Sequence, residues 1–409
     1  MYQVFADEHI LFDSRYEGYI IGKGQINLEA NKSGSFVFSL YKDHPYYDRI
    51  QKLKTIITVY RDGFLIFRGR VIKSDDGFYN EKTLTCEGEL SFLLDSVQRS
   101  YSYTGTPASL FSQFVREHNR QVGGDRQFTI GQITVEDPND YINRSNSNYE
   151  DTLTNVNNKL LGTLGGYIYI TPGTNDERVI NWLADFPSLS SQSIEFGENL
   201  LDFVKTNNAE DIITALIPLG AKIQTEGESV ETEARVTIES VNGGKDYIYD
   251  AEAVAAYGWI YKSVIWDDVT VPANLLSRAI AYLNEYINLN ISIELSAIDL
   301  SAMDKNIDAF KIGDYVHVIS LPHGINSNYL LTKQSIDLLH PENNKITLGY
   351  TFSTFTDRTL ANSTTGATLV EKVETIERNY ASESILNSEI DAIVNDNNDN
   401  DDNGEGEGA

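Results

Sequence analysis

The sequence predicts a mainly β protein with an α+β insertion, in which one barrel-like half hands over to a second. Three observations carry this. Residues 1–100 are dense in short strand signals, the apolar period turns helical from Ser100, and strands return beyond the stretch Ile194 to Ala221. Within that stretch Ile212, Thr214 and Leu216 fall on one face of a strand, and Ile213, Ala215 and Ile217 on the other. A strand apolar on both faces needs cover on both sides, from a barrel interior or from a neighbouring chain. Ile212 and Leu216 are therefore candidate oligomerisation residues.

Taken in order, Phe36, Phe38 and Leu40 alternate with polar or smaller neighbours. TIITVY (55–60), Arg61-Asp62-Gly63 and FLIFRGRVI (64–72) make a hairpin signal, since Asp-Gly supplies the positive backbone angles of a tight turn. Thr83 to Leu90 reads as the next strand. Thr106-Pro107 is a helix cap followed by a first-turn proline, and Leu110, Phe111, Phe114, Val115 and His118 recur at helical spacing. Ser147-x-x-Glu150 reads as a capping box for a second helix carrying Leu153, Val156, Leu160 and Leu164 and stopped by Gly165-Gly166. Asp250 caps a short helix ended by Gly258, and Pro272 opens a better one with Leu276, Ile280, Leu283 and Ile287 on its buried side.

These boundaries divide the chain into a first β domain (1–100), an α+β domain (101–193), a second β domain (194–355) with a helical insertion around 225–290, and a terminal segment (356–409). Residues 53–88 and 310–350 share an order of strand, turn, strand, polar loop and final strand ending near glycine, which reads either as a divergent duplication or as a coincidence among β meanders. Beyond a Ser/Thr-rich linker, Leu369, Val373, Ile376 and Tyr380 follow coiled-coil spacing, a seam that three copies could zip together. Residues after Asn395 lack an apolar anchor and read as disordered.

Composition narrows the function. The 409 residues carry a formal charge of −28, which argues against phosphate-neutralising contact with nucleic acid and against anionic lipid. The amino terminus has no signal-peptide pattern, and no apolar run reaches the length of a membrane span, so synthesis in the cytoplasm is expected. The single cysteine, Cys86, excludes an intrachain disulfide. The six histidines are scattered, and no nucleophile elbow, zinc-protease, P-loop or dinucleotide motif occurs. His118 reads as a structural histidine near a helix C-terminus. Asp299, Asp304, Asp308 and Asp314 read as turn and cap residues, and Asp137 to Asp140 as a surface loop. No catalytic, cofactor or metal residue is assigned.

The runs LFSQFVREHNRQV, IEFGENLLDFVKTNNAEDIITALIPLGA, GGKDYIYDAEAVAAYGWI and LSAIDLSAMDKNIDAFKIGDYVHVIS together resemble the phage tail-tip or baseplate hub family, also called the tail-associated lysin or prophage endopeptidase tail family. The resemblance covers about residues 1–355, with Asn207, Asp211, Gly220, Asp246, Tyr257, Gly258, Asp299, Gly313 and Asp314 at its typical positions. It implies two related β-barrel, tube-like domains per subunit and a homotrimer forming a pseudo-sixfold ring. Such a ring caps the tail tube, meets the distal tail protein ring, and opens for DNA. A tape measure protein and a host cell-wall receptor are further partners, and the virion tail tip is the location. About 50 residues follow the hub pattern, too few for a peptidase domain, so a structural role rather than an enzyme is expected. The alternatives are a tail-associated peptidoglycan hydrolase and a glycan-binding adhesin.

Overall fold

The computed structural model describes residues 1–349, apart from 138, 140, 175, 210, 224–233, 288–289 and 303–306. The seam residues Leu369, Val373, Ile376 and Tyr380 lie outside the described residues. The chain opens with hairpins β1 (Tyr2–Ala6)–β2 (His9–Asp13) and β3 (Gly24–Glu29)–β4 (Ser35–Tyr41). A meander follows: β5 (Ile56–Arg61), β6 (Phe64–Asp76) and β7 (Glu81–Gly88). Asp62 and Gly63 have φ +50° and +86°, the pair of left-handed residues that a two-residue hairpin turn demands. The strand expected to reach Leu90 stops at Gly88, where a 3-10 segment, Glu89–Asp95, begins and turns the Glu89 carboxylate inward to Arg68.

The α+β part contains β8 (Tyr101–Gly105), α1 (Pro107–Gln121), β9 (Thr129–Ile133) and β10 (Ile142–Asn146). The helical run α2 (Thr152–Val156), a π turn (Asn157–Leu161) and α3 (Gly162–Leu164) leads to β11 (Tyr167–Pro172) and β12 (Arg178–Leu183). Thr106 caps α1 by accepting from the Ser109 amide at 3.3 Å, and the predicted apolar face is buried. The second cap differs from expectation. Tyr149 has φ +54°, which an α-helix does not tolerate, so the helix starts after it and Asp151 accepts from the Thr154 amide at 2.8 Å. Trp182 is fully buried with its ring 5.5 Å from that of Phe111.

Next come β13 (Ile194–Glu195), β14 (Leu200–Asn208), β15 (Ala215–Leu219), β16 (Ile248–Tyr249), α4 (Ala251–Tyr257), β17 (Tyr261–Ile265) and α5 (Pro272–Tyr286). Strand β15 is central in a small sheet, β16-β15-β17. It begins three residues later than the pattern suggests, because Thr214 Oγ1 is tied to the Ile260 amide at 2.7 Å and to the Gly258 carbonyl at 2.8 Å. Asp250 caps α4. The buried face of α5 is Leu275, Ala279 and Leu283, while Ile280 is exposed. Leu276 and Ile287 are partly buried against the same core, so of the predicted face only Ile280 departs, and the small Ala279 is turned inward among buried side chains.

The last strands are β18 (Asn290–Ala297), β19 (Tyr315–Ser320), β20 (Ile325–Asp337) and β21 (Lys345–Gly349). Among the described residues neither β part closes into a barrel. The two share a 13-stranded sheet whose described residues run as an open path, β14-β18-β21-β20-β3-β4-β7-β6-β5-β1-β2, with β19 beside β20 and β13 beside β19. The junction is antiparallel pairing of Lys333–Asp337 with Gln25–Glu29. There Ile336 lies opposite Ile26, both buried in the first core with Leu338.

The internal repeat is visible in this order. Strands β3-β4-β7-β6-β5 and β14-β18-β21-β20-β19 follow the same antiparallel sequence. Each has a 13-residue strand in the fourth place, with a register shift at Ile72 in one and Thr332 in the other. The Leu53 amide donates to the Val71 carbonyl at 2.7 Å, and the Gly313 amide to the Leu331 carbonyl at 2.9 Å, at the same separation along the chain. Leu53 (φ +60°) and Gly313 (φ +95°) both use the left-handed region there. The cross-strand pairs Phe36–Cys86 and Phe38–Leu84 correspond to Ile293–Leu348 and Leu295–Ile346, and all eight are buried.

Truncating Ile26 or Ile336 to alanine should lower the unfolding free energy by about 2–5 kcal/mol. The same change at the exposed Ile20 should stay within about 0.5 kcal/mol, read by urea titration.

Candidate functional site

One contact has the form of a nucleophile and its base. Ser96 Oγ lies 2.7 Å from His118 Nδ1 and 2.7 Å from Thr152 Oγ1, and His118 Nε2 lies 3.0 Å from the Arg126 carbonyl oxygen. A carbonyl only accepts, so Nε2 carries the proton and Nδ1 accepts from the serine hydroxyl. The tautomer would suit a base, but both residues are buried and a carbonyl stands where a triad has its carboxylate. Burial pushes the His118 pKa down. The group acts as a buried clasp between the end of the 3-10 segment, α1 and the start of α2, which Gln98 completes with bonds to Thr152 Oγ1 and the Phe114 carbonyl.

The other histidines have equally local partners. His44 is buried, Nε2 on the Leu11 carbonyl at 2.9 Å and Nδ1 accepting from the Tyr46 amide, and burial lowers its pKa too. His323 lies edge-on to Phe196 and Phe203. Burial raises the Cys86 thiol pKa. Among the described residues no three His, Cys, Asp or Glu side chains gather as metal ligands, and no helix is long and apolar enough to cross a membrane.

The predicted acidic cluster separates. Asp299 ties the two β parts by accepting from Arg61 (2.5 Å), Gln192 (2.8 Å) and Ser301 (2.7 Å). Burial alone would raise its pKa, but these partners hold it below the usual range. The Asp308 amide donates to Ser191, and the Asp314 amide closes a turn on Lys311. Asp304 lies outside the described residues. Asp137, expected on the surface, is buried because Arg278 reaches it at 2.5 Å. Arg278 also meets Asp268 at 3.0 Å, and Arg144 meets Asp268 at 2.6 Å. Arg68 and Arg178 converge on Glu89, and Arg70 bridges Glu87 and Asp95.

Surfaces offer more than clefts do. Ile212 and Leu216, the candidate oligomerisation residues, are already buried in the single chain. Leu216 packs with Leu275, Ala279 and Leu283 of α5. In contrast, β14 is the terminal strand of the large sheet, with Val204, Lys205 and Thr206 exposed. The β5 ladder on β6 ends at Arg70, and Ile72, Lys73, Asp75 and Asp76 are exposed beyond it. An aromatic cluster also stands out of the small sheet. The Trp259 ring stacks on Tyr261 at 5.5 Å and 9°, Tyr249 lies 5.0 Å from Trp259, and Lys245 sits over Tyr247 and Tyr249. Tyr249, Trp259 and Tyr261 are each about half exposed. Sequence reading missed both features: the run YGWIY was a visible aromatic signal, whereas a free strand edge has none.

Comparison with known proteins adds the following. Residues 189–359 match the family model described as prophage endopeptidase tail. A tail protein of Neisseria meningitidis MC58 is 14% identical, with TM-score 0.58 over 85% of this chain and 96% of its own. Prophage tail protein gp18 of Listeria monocytogenes EGD-e is 15% identical, with TM-score 0.54 over 87% and 96%. The 43 kDa tail protein of prophage MuSo2 from Shewanella oneidensis is 13% identical, with TM-score 0.55 over 85% and 97%. At these identities the likeness is one of fold. No curated protein sequence is significantly similar to the chain.

The buried histidines set a pH dependence. Their folded pKa values lie below the ordinary value of 6.5, so the unfolded chain takes up protons that the fold refuses. That stability is fully present above about pH 6.5 and is lost as pH falls from there through the folded values. The urea midpoint should drop between pH 7.5 and pH 5.5, and His118→Gln should flatten the drop.

Proposed function

We propose that this chain, whose residues 189–359 match the model of the prophage endopeptidase tail family, is a structural tail-tip or baseplate hub subunit of a phage or phage-tail-like particle. In this reading three copies form a ring that caps the tail tube, joins it to the distal tail ring and host-facing parts, and opens for DNA. The carrying observation is the five-strand repeat: two copies of one strand order in one sheet allow three chains to present six similar walls to a sixfold tube. The open path then closes into a barrel only between subunits. In this reading the chain divides into a first β domain (1–100), an α+β domain (101–193), a second β domain (194–355) and a terminal segment (356–409). Leu369, Val373, Ile376 and Tyr380 supply a second trimer contact. The formal charge of −28 keeps a passing polyanion from adhering. The role is structural rather than enzymatic.

The exposed cluster of Tyr247, Tyr249, Trp259 and Tyr261 favours a second reading, contact with a host glycan, because flat aromatic faces pack on the apolar faces of sugar rings. Trp259→Ala should then abolish binding to purified wall polysaccharide while leaving the fold intact. Unchanged binding, or none in the parent protein, sets that reading aside.

For the ring, light scattering behind size exclusion should give three times the 45.8 kDa chain mass. Truncation near residue 360 that preserves the trimer assigns the main contact to the β parts, and dissociation assigns it to the 369–380 seam. A monomer in both forms overturns the ring.

A further inference from the structure

The junction inside the chain is a template for a junction between chains. In the second repeat, the end of β20 passes beyond β19 and pairs with β3, the first strand of the other repeat. In the first repeat, the end of β6 passes beyond β5 in the same way, at residues 72–76, and meets no strand on that side among the described residues. The counterpart of β3 in the second repeat is β14, which apart from one isolated bridge at Leu200 pairs only with β18 among the described residues, leaving Val204–Thr206 without a strand on the outer side. One repeat thus ends in a donor edge without an acceptor, and the other begins with an acceptor edge without a donor. Within the described residues of the chain the two are not joined: β14 and β6 stand at opposite ends of a path of eight strands with no pairing between them.

We propose that the end of β6 pairs with β14 of a second copy of this chain, antiparallel and in the register of the internal β20–β3 junction. The register follows from the ladders. Lys73 pairs with Thr85 as Lys333 pairs with Thr347, which aligns the donor strands. Val37 lies between Thr85 and Gln25 as Glu294 lies between Thr347 and Val204, which aligns the acceptor strands. Internally Ile336 faces Ile26 and Ser335 faces Asn27. Between chains Asp76 faces Lys205 and Asp75 faces Thr206. Where the internal seam is a buried isoleucine pair, the external seam is an ion pair whose members are exposed in the single chain. Three such contacts close the path into a ring of alternating apolar and ionic seams. The donor and acceptor edges are different surfaces, so the contact is heterologous, which is what a ring needs. An ion pair across strands is weakened by salt, so the subunit seam should open before the internal one.

This rests on the ring reading for the identity of the partner. In the full chain, Asp76→Cys combined with Lys205→Cys should oxidise to covalent dimers and trimers, since facing residues on paired strands bring their Cβ atoms within disulfide reach. Neither single variant should do so, and the native Cys86 is buried and does not compete. Asp76→Lys should weaken the trimer several-fold at low salt, and adding Lys205→Asp should restore it, with circular dichroism checking that each variant folds. A trimer by mass that neither cross-links nor is rescued by the charge swap overturns the pairing and leaves the ring reading standing. A chain that is monomeric at every concentration and never cross-links overturns both.

Discussion

The constraint on which the structure depends is the double engagement of one strand. β20 binds β19 with its first half and both β21 and β3 with its second. The register shift at Thr332 falls between the two, where an extra residue re-aims the strand. Its side chains divide accordingly: Ile325 and Leu331 lie in the core of the second repeat, Ile336 and Leu338 in that of the first. Were the second half of β20 frayed, the first core would lose two of its buried walls and the halves would be joined chiefly through the α+β part and ion pairs.

Legibility followed the range of the interaction. The Asp62-Gly63 hairpin, the Thr106 cap and apolar face of α1, and the Asp250 cap of α4 are decided within a few residues, and sequence reasoning found them. The start of α2 failed because the left-handed Tyr149 overrides the Ser147 box, a backbone choice invisible in residue type. The face of α5 was right for Leu276, Leu283 and Ile287 but not for Ile280, which is as apolar as Ala279, so that only what packs against the helix decides between them. The pairing of β20 with β3 spans some 300 residues of chain, and alternation says which side of a strand is apolar but not which strand lies beside it. The repeat survived as an order of strands rather than of identities, so it was only faintly visible.

Charge is distributed in a way that composition hides. Arg61, Arg68, Arg70, Arg144, Arg178 and Arg278 are turned inward or into joints between parts, each on one or more carboxylates. Planar guanidinium groups suit this, because they bind two acids at once in fixed geometry. Because the carboxylates are drawn in with the cations, these joints are close to neutral and leave the formal imbalance to the rest of the chain. Breaking one such joint strands a buried charge, so these contacts fix how the parts sit against one another more than they add to total stability.

The difference between the two kinds of seam then has a physical reason. The internal junction forms once, when the chain folds, and an apolar pair such as Ile26 and Ile336 is shielded from the first moment by its own core. A subunit edge must exist in water before assembly, and an unpaired strand edge bearing isoleucines would recruit any other edge. In the proposed contact Asp76 and Lys205 place charge beside the exposed Ile72 and Val204, reject like-charged partners and complement each other in one register. The same sheet can therefore be permanent within a chain and conditional between chains.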